Sequence, residues 1–490
     1  MKINRLRFVT ACLVAGLGAA AAFSPGCDDQ TTPGQNDQDL GPDLEQSLAP
    51  TVTQATPGVV ANTGGTTVTL TGENFKPGAT VTIEGASANA VFNSATSLTV
   101  TVPAKAAFCG PASVSVQNPD GKSGSATNLL RYKSSQFGFL AAKTSTGNSL
   151  TAPRNLVLAD FNADKKIDAL VSLMTAGNVG FMAGTGGDTF GAVSATAVGS
   201  QPRDLAAGFF DADNNLDVAV TNAGAGTVSV LLGQGNGSFT VKQTVTAGNS
   251  PNAIEVRDFN RDGKPDLAIA NAGGGTGTAS LMIAFGKGDG TFNTPSSTSL
   301  PVGCTGMATG DLNGDGYFDI AVAHGAQGQA SVHIGKGDGT FGTPSMVNLG
   351  GAGGQANDVV MADLNGDQKQ DLAVANSATG NIAVQFGKGD GTFGNAPQIT
   401  ATNGSGPNSL IAVDVNEDGF MDILTANGGG ANLSLLLGTT GGVFSAGVPF
   451  AVGNSPRFLA SSDLNGDLQP DIVSSNATSG NVSVLLSQCK

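Results

Sequence analysis

The chain has 490 residues, enough for more than one domain and a large buried core. Its net charge of −15, from 23 basic and 38 acidic residues, argues against nucleic acid as a partner. Only 12% of residues are charged, 72 are glycine, two are His and none is Trp, a balance that disfavours long amphipathic helices and suits many short strands joined by turns.

The first residues read as a targeting segment. Lys2, Arg5 and Arg7 flank an apolar stretch of 16 residues, 8–23, which is short for a membrane span and has the make-up of a secretory signal. The following "FSPGCDDQ" sets Gly26 directly before Cys27. It resembles the processing site of a bacterial lipoprotein, where the cysteine becomes the lipidated N-terminus. Ser24 and Pro25 depart from that pattern, so cleavage beside a neighbouring residue stays open as the alternative. On either reading residues 1–26 are a signal peptide and the protein is exported. With Cys27 lipidated it is anchored to a bacterial membrane, periplasmic or surface-exposed; otherwise it is secreted. Residues 27–48 hold six acids, no Lys or Arg and no apolar periodicity, and read as a disordered acidic tether. Cys109, Cys304 and Cys489 then remain. They allow one disulfide at most, with partners the sequence does not identify, and they lack metal-site spacing.

Residues 49–132 read as a small immunoglobulin-like β-sandwich. "TTVTLTG" (66–72), "TVTIEG" (80–85), "SLTVTVP" (97–103) and "SVSVQNPDG" (113–121) alternate apolar with polar residues between Gly and Pro punctuation. Together with Pro57-Gly58 and "GGTTVTLTGENF" (64–75), the order of pieces resembles the IPT/TIG domain. That resemblance implies a spacer or binding unit without catalytic residues.

From Phe137 onward the chain repeats. An acidic nonapeptide begins at positions 160, 209, 258, 311, 363, 414 and 463, a period of about 50 residues that signals a propeller or a solenoid. Each copy leads into an apolar strand such as "DIAVAH" or "DILTAN". A second apolar strand follows, then a turn ending in Phe: 233–239, 286–292, 335–341 and 387–393. The Asn-Gly or Asp-Gly centre of that turn is a strong hairpin signal. Four short antiparallel strands per unit make one propeller blade. The seventh unit stops at "NVSVLLSQCK" without its Phe turn, and "FGFLAAKTSTGNSLTAPRNL" from Phe137 lines up with "FGAVSATAVGSQPRDL" from Phe190. The spacing therefore predicts an all-β chain: a seven-bladed propeller over 137–490, its last blade completed by an N-terminal strand so that no sheet edge is free.

In the nonapeptide, acids or amides fall at positions 1, 3, 5 and 9, and position 6 is often Gly. Alternate side chains of an extended segment point the same way, and Gly allows the chain to wrap. A backbone carbonyl at position 7 completes an all-oxygen set of the kind Ca²⁺ takes, with six to eight ligands at ~2.3–2.6 Å. An EF-hand is excluded, because position 12 is Val322 in the fourth copy and Val171 in the first, where a bidentate Glu is needed. The candidate ligands are Asp160, Asn162, Asp164 and Asp168; Asp211, Asp213 and Asp217; Asp258, Asn260, Asp262 and Asp266; Asp311, Asn313, Asp315 and Asp319; Asp363, Asn365, Asp367 and Asp371; Asp414, Asn416, Asp418 and Asp422; and Asp463, Asn465, Asp467 and Asp471. The first, fifth and seventh loops replace the Gly by Lys165, Gln368 and Leu468, which should strain or weaken them. The second carries Phe209 at position 1 and is expected to be the weakest. These candidate ligands include 21 of the 38 acidic residues.

The motif "D-x-N-x-D-G-x-x-D" followed by "G-x-G-D-G-x-F" resembles the FG-GAP/VCBS repeats of integrin-α-type propellers. That resemblance implies calcium in the blade loops as a rigidifying cofactor and a role in extracellular adhesion or recognition. The residues themselves favour a non-enzymatic, monomeric module for a protein or glycan at the cell surface. The alternatives are a polysaccharide-acting enzyme or a lectin using the propeller face. Against them, His324 and His333 form no visible catalytic pattern and read as surface or packing residues. Tyr132 and Tyr317 are the only tyrosines, so aromatic platforms for sugars are few.

Overall fold

A computed structural model describes residues 48–105, 110–133, 137–145, 150–274, 278–301, 303–325, 328–350, 354–394 and 397–489. The signal peptide, Cys27, nearly all of the tether and Cys109 fall outside these residues. Every regular element among the described residues is a β-strand. The chain divides into two compact units at residues 135 and 136.

In the first unit, eight strands are linked in a single pairing order, and alternation builds the core. Thr67–Glu73 and Gly110–Gln117 bury every second residue. Leu70, Ile83, Leu98, Val100, Val114 and Tyr132 pack between the faces. Buried Tyr132 donates its hydroxyl to the Pro103 carbonyl at 2.9 Å, and burial pushes its pKa up to about 12. The strand Ala86–Ser94 gave no pattern in the sequence. It buries none of its side chains fully, so no apolar alternation marks it.

The second unit is a ring of seven four-stranded antiparallel sheets. The blades span 153–197, 202–246, 251–299, 304–348, 356–401, 407–451 and 456–485, the last completed by Lys143–Ser145. In every blade the second strand is buried along its full length, as in Asp319–His324 and Asp422–Asn427. It is covered on both faces by neighbouring blades, which is why it reads as a continuous rather than alternating apolar run. The innermost strands touch their neighbours all round, including Pro456–Ser462 against Pro153–Ala159.

Closure uses the N-terminal strand as expected, but the register differs by two residues. Lys143–Ser145 pairs with Asn481–Leu485, and Phe139, not Phe137, pairs with Ser487. That pairing matches Gly184 with Phe190 and Gly233 with Phe239 in the complete blades. The shared "FG" dipeptide misleads the alignment, because the segment before Pro153 is two residues longer than the one before Pro202. Cys304 is buried and free, so it forms no disulfide.

Candidate metal loops

Each acidic loop joins the first and second strands of its blade. Convergence at positions 1, 3 and 5 comes from a tight turn and not from an extended segment. In six loops the position-1 carboxylate accepts the backbone N–H groups of positions 5 and 6; in the fourth, Asp311 takes those of Asp315 at 3.2 Å and Gly316 at 2.9 Å. The Asn at position 3 accepts the position-5 N–H, as Asn313 does from Asp315 at 3.1 Å. Asp315 in turn accepts from Tyr317 at 2.8 Å.

Position 6 is left-handed in all seven loops. Gly263, Gly316 and Gly419 have φ of 82°, 82° and 90°, and Lys165, Gln368, Leu468 and Asn214 have 67°, 67°, 65° and 63°. The loops without glycine keep the shared path and carry the strain locally, about 1–2 kcal/mol for each non-Gly residue in this region. Position 4 is left-handed as well in the six loops that have Asp at position 1, including Ala163, Arg261 and Glu417. The second loop lacks that carboxylate, and its position 4, Ala212, is not left-handed. The same loop has Asp211 where the others have Asn. Asp211, Asp213 and Asp217 bring carboxylate oxygens within 4.8 Å of one another, a group able to hold a metal ion. A missing first ligand therefore does not scatter the rest.

The position-9 aspartate is fully buried in every blade: Asp168, Asp217, Asp266, Asp319, Asp371, Asp422 and Asp471. One oxygen accepts the N–H of position 2 and the other accepts the N–H that opens the Phe turn of the same blade. For Asp319 these donors are Leu312 and Gly335, both at 2.7 Å. In the closing blade Ser487 takes the glycine's place at 2.8 Å. Burial pushes these carboxyls up, to about 6 in Asp319 and about 7 in Asp371 and Asp422, against the lowering effect of the two N–H donors and with a further push from neighbouring loop aspartates. A carboxylate has about four acceptor directions, so each retains capacity beyond the two bonds it makes. Oxygen-only donors with spare lone pairs, gathered by one turn, fit a hard cation such as Ca²⁺.

Each loop is also tied to the next blade. In the first four loops a glycine of the following Phe turn donates its N–H to the position-2 carbonyl, as Gly290 does to Phe210 at 2.8 Å, Gly339 to Phe259 at 3.0 Å and Gly391 to Leu312 at 3.1 Å, and in the fifth Gly441 donates to Asn365 at position 3. The position-2 side chain packs against the Phe of that turn, edge to face at 5.7 Å for Phe161 and Phe239 and 5.2 Å for Phe210 and Phe292. The same partnership closes the ring through Val415 with Phe139 and Leu464 with Phe190. A Cβ on Gly339 would lie 2.2 Å from the Phe285 ring, so only glycine permits this approach.

The FG-GAP-like repeat family matches residues 209–269, 258–322, 311–374, 363–425 and 414–474, more than half of the sequence. The chain belongs to the FG-GAP-like repeat family. An IPT/TIG domain matches residues 50–132. No curated protein matches the chain. Among solved structures, BBS1N in complex with ARL6DN is similar at TM-score 0.50 and 10% identity, over 71% of this chain and 96% of that one. An auxiliary nutrient binding protein from Bacteroides ovatus gives TM-score 0.44 at 15% identity, over 90% and 98%. An Agrocybe aegerita lectin that recognises non-reducing terminal N-acetylglucosamine gives 0.46 at 19%, over 70% and 90%. At such identities the likeness is one of fold alone. The first acidic loop lies ahead of the matched FG-GAP residues, yet it repeats the hydrogen bonds of the others.

Two further groups of residues narrow the sequence reading or escape it. His324 and His333 are buried and share Ser331 Oγ, at 2.9 and 3.0 Å. His324 stands where Asn222, Asn427 and Asn476 bond to Ser229, Ser434 and Ser483 in other FG-GAP blades. The pair is thus a structural rung, not a surface feature, and burial together with His324 lowers the His333 pKa to about 4. Missed entirely was the residue after the first of each innermost strand. These residues (Arg154, Arg203, Asn252, Thr305, Asn357, Asn408 and Arg457) ring the mouth of the central channel, at the end opposite the acidic loops. The recurring Pro-Arg of 153–154, 202–203 and 456–457 was the available signal.

Proposed function

We propose that this protein is a calcium-stabilised, non-enzymatic binding module of the cell envelope, exported and lipid-anchored through Cys27, whose propeller presents a recognition surface to a protein or glycan. The observation that carries the reading is the identity of the seven loops. All seven take one left-handed residue at position 6 and one buried aspartate at position 9, whether or not glycine is present. In each loop the carboxylates at positions 1, 5 and 9, together with the position-3 Asn oxygen, are the groups that would hold Ca²⁺. The second loop would use Asp211, Asp213 and Asp217. The ion would neutralise carboxylates that otherwise repel one another, and the chain supplies the tie from each loop to the next blade.

A non-enzymatic role is supported by the histidines, which are both buried and engaged with Ser331. It is supported further by the loop aspartates, whose oxygens serve the backbone. Export is supported by the basic segment and the apolar stretch before Cys27. The deciding experiment is thermal unfolding with and without a chelator, combined with an array of glycans and envelope proteins and a hydrolase screen. Chelation should lower Tm, calcium should restore it, and the array should return a partner while the screen stays silent. An unchanged Tm refutes the calcium reading, and turnover in the screen refutes the non-enzymatic one. In cells, Cys27→Ala should move the protein from the membrane to the soluble fraction.

A further inference from the structure

The mouth of the central channel is a cavity of about 290 Å³ lined by two consecutive residues of each blade's innermost strand, the first of each pair being the residue that rings the mouth. Around most of the ring these side chains hand hydrogen bonds from blade to blade. Arg203 donates to Asn252 at 2.6 Å, and Asn252 donates to the Cys304 and Thr305 carbonyls at 3.1 and 3.0 Å. Thr305 donates to the Ala356 carbonyl, Asn357 to Asn408 at 3.1 Å, and Asn408 to the Pro456 carbonyl at 3.4 Å. The relay stops there. Arg457 and Arg154, on the next two blades, do not continue it. Among the described residues the Arg154 guanidinium donates one hydrogen bond, to the thioether of Met174 at 3.5 Å. Arg203 completes this sector, and its Nε has no acceptor.

Three guanidinium groups thus stand on three consecutive blades. Among the described residues, no carboxylate lies within ion-pair distance of any of them. The two acids of the cavity are already occupied by the scaffold. Asp204 accepts from Leu205 at 3.0 Å, Ile254 at 2.9 Å and the Asn155 amide. Asp358 accepts from Val359 at 3.0 Å and Ser409 at 2.9 Å. Burial and the repulsion of Arg203 and Arg457 hold the Arg154 pKa down to about 10, against the opposing pull of Asp204. An arginine crowded by like charges and short of acceptors is costly to maintain. In a protein whose net charge is −15, a mouth whose three arginines outnumber its two aspartates, Asp204 and Asp358, is a local exception, and low-dielectric walls focus its field.

We propose that the channel mouth binds a small polyhydroxylated carboxylate of hexuronate type, its carboxylate held by Arg154, Arg203 and Arg457 and its hydroxyls turned to the amides of the opposite sector. Guanidinium forks match a carboxylate in bidentate geometry. Asn357 and Asn408 face the cavity with polar groups suited to hydroxyls. The volume admits one monosaccharide-sized unit, not a polymer threaded through. Recognition by guanidinium and amide needs no aromatic platform, as a chain without Trp requires.

The assignment rests on the reading of the propeller as a binding module, but it fails separately. Calorimetric titration of the full chain, calcium-loaded and in about 0.1 M salt to screen loose ion pairing, should show saturable binding of D-galacturonate. Galactose should bind at least tenfold more weakly, and so should acetate. Arg154→Gln and Arg203→Gln should each lower galacturonate affinity at least tenfold. Arg457→Gln, at an exposed position, should do so with an unchanged melting temperature. Equal affinity for galacturonate and galactose, or for galacturonate and acetate, overturns the proposal. So does wild-type affinity in Arg457→Gln. A partner found by the array and bound equally well by all three variants would sink this site while leaving the binding-module reading intact.

Discussion

At one end of each innermost strand stands a loop whose ninth residue is Asp in all seven blades. At the other end, the second residue of the same strand is Arg in three blades, Asn in three and Thr in one. The loop end is redundant: each loop is bonded to its own blade through the buried aspartate and packed on the next through Phe, with a glycine hydrogen bond added in five of the seven. The channel mouth has a partial relay that breaks in one sector. Both ends belong to the same fold and the same strands. Where a repeat protein uses one residue sevenfold, that residue is needed to build the ring. Where the same fold tolerates three residue types, the position is free to be specific.

The comparison is broken most directly by removing the cation. Chelation should lower Tm by on the order of 10 °C or more, since several sites each contribute through mass action. A scan of Tm against chelator, with calcium added back, checks this. Next in size is the inter-blade contact. Gly339→Ala places a methyl 2.2 Å from Phe285 at φ +80° and should cost about 3 kcal/mol in denaturant unfolding. Gly316→Ala has open space around the new carbon but a φ of +82°, so it isolates the conformational part, about 1–2 kcal/mol. If the two cost the same, the contact between turn and neighbouring blade contributes nothing.

Acidity sharpens the same contrast. In chelator-treated protein the position-9 carboxyls, pushed up to about 6 in five blades and about 7 in two, hold their protons more tightly folded than unfolded. Unfolded Asp titrates near 3.9. Stability should therefore rise as pH falls from about 8 to about 5, and fade as pH climbs through the folded values. Calcium favours the ionised form, so the loaded protein should lose that rise. Urea midpoints at matched pH values, with and without calcium, decide it. Among the smallest effects, Leu468→Gly should raise stability by about 1 kcal/mol, because the residue is exposed and left-handed at φ 65°. At the channel mouth, Arg457→Gln should stay within about 0.5 kcal/mol of the wild type.

Much of the loop end was legible in the sequence, and the reason is repetition. Seven spaced copies of an acidic nonapeptide announce blades, and a missing final hairpin announces closure. The hydrogen-bonding duty of Asp319 and its counterparts was not legible, because its two donors lie seven residues before it and sixteen after it, in separate turns. Phe137 was mistaken for Phe139 because a dipeptide match outweighed register. The strand Ala86–Ser94 was invisible because no side chain in it is fully buried. Arg154, Arg203 and Arg457 were overlooked for a different reason. Their Pro-Arg recurs in three of the seven units and is absent from the other four, so it carries none of the sevenfold period that marks the loops.

The closing sheet has a consequence for assembly. Lys143 meets Val484, and Phe139 meets Ser487, so the earliest strand of the propeller waits for the latest. During synthesis or export, six blades can form on their own chain while the seventh stands open at both sides. The ring becomes a single cooperative object only when the final residues arrive. Until then it is an incomplete arc with two unsatisfied edges, and a chain cut short before Asn481 would stay in that state.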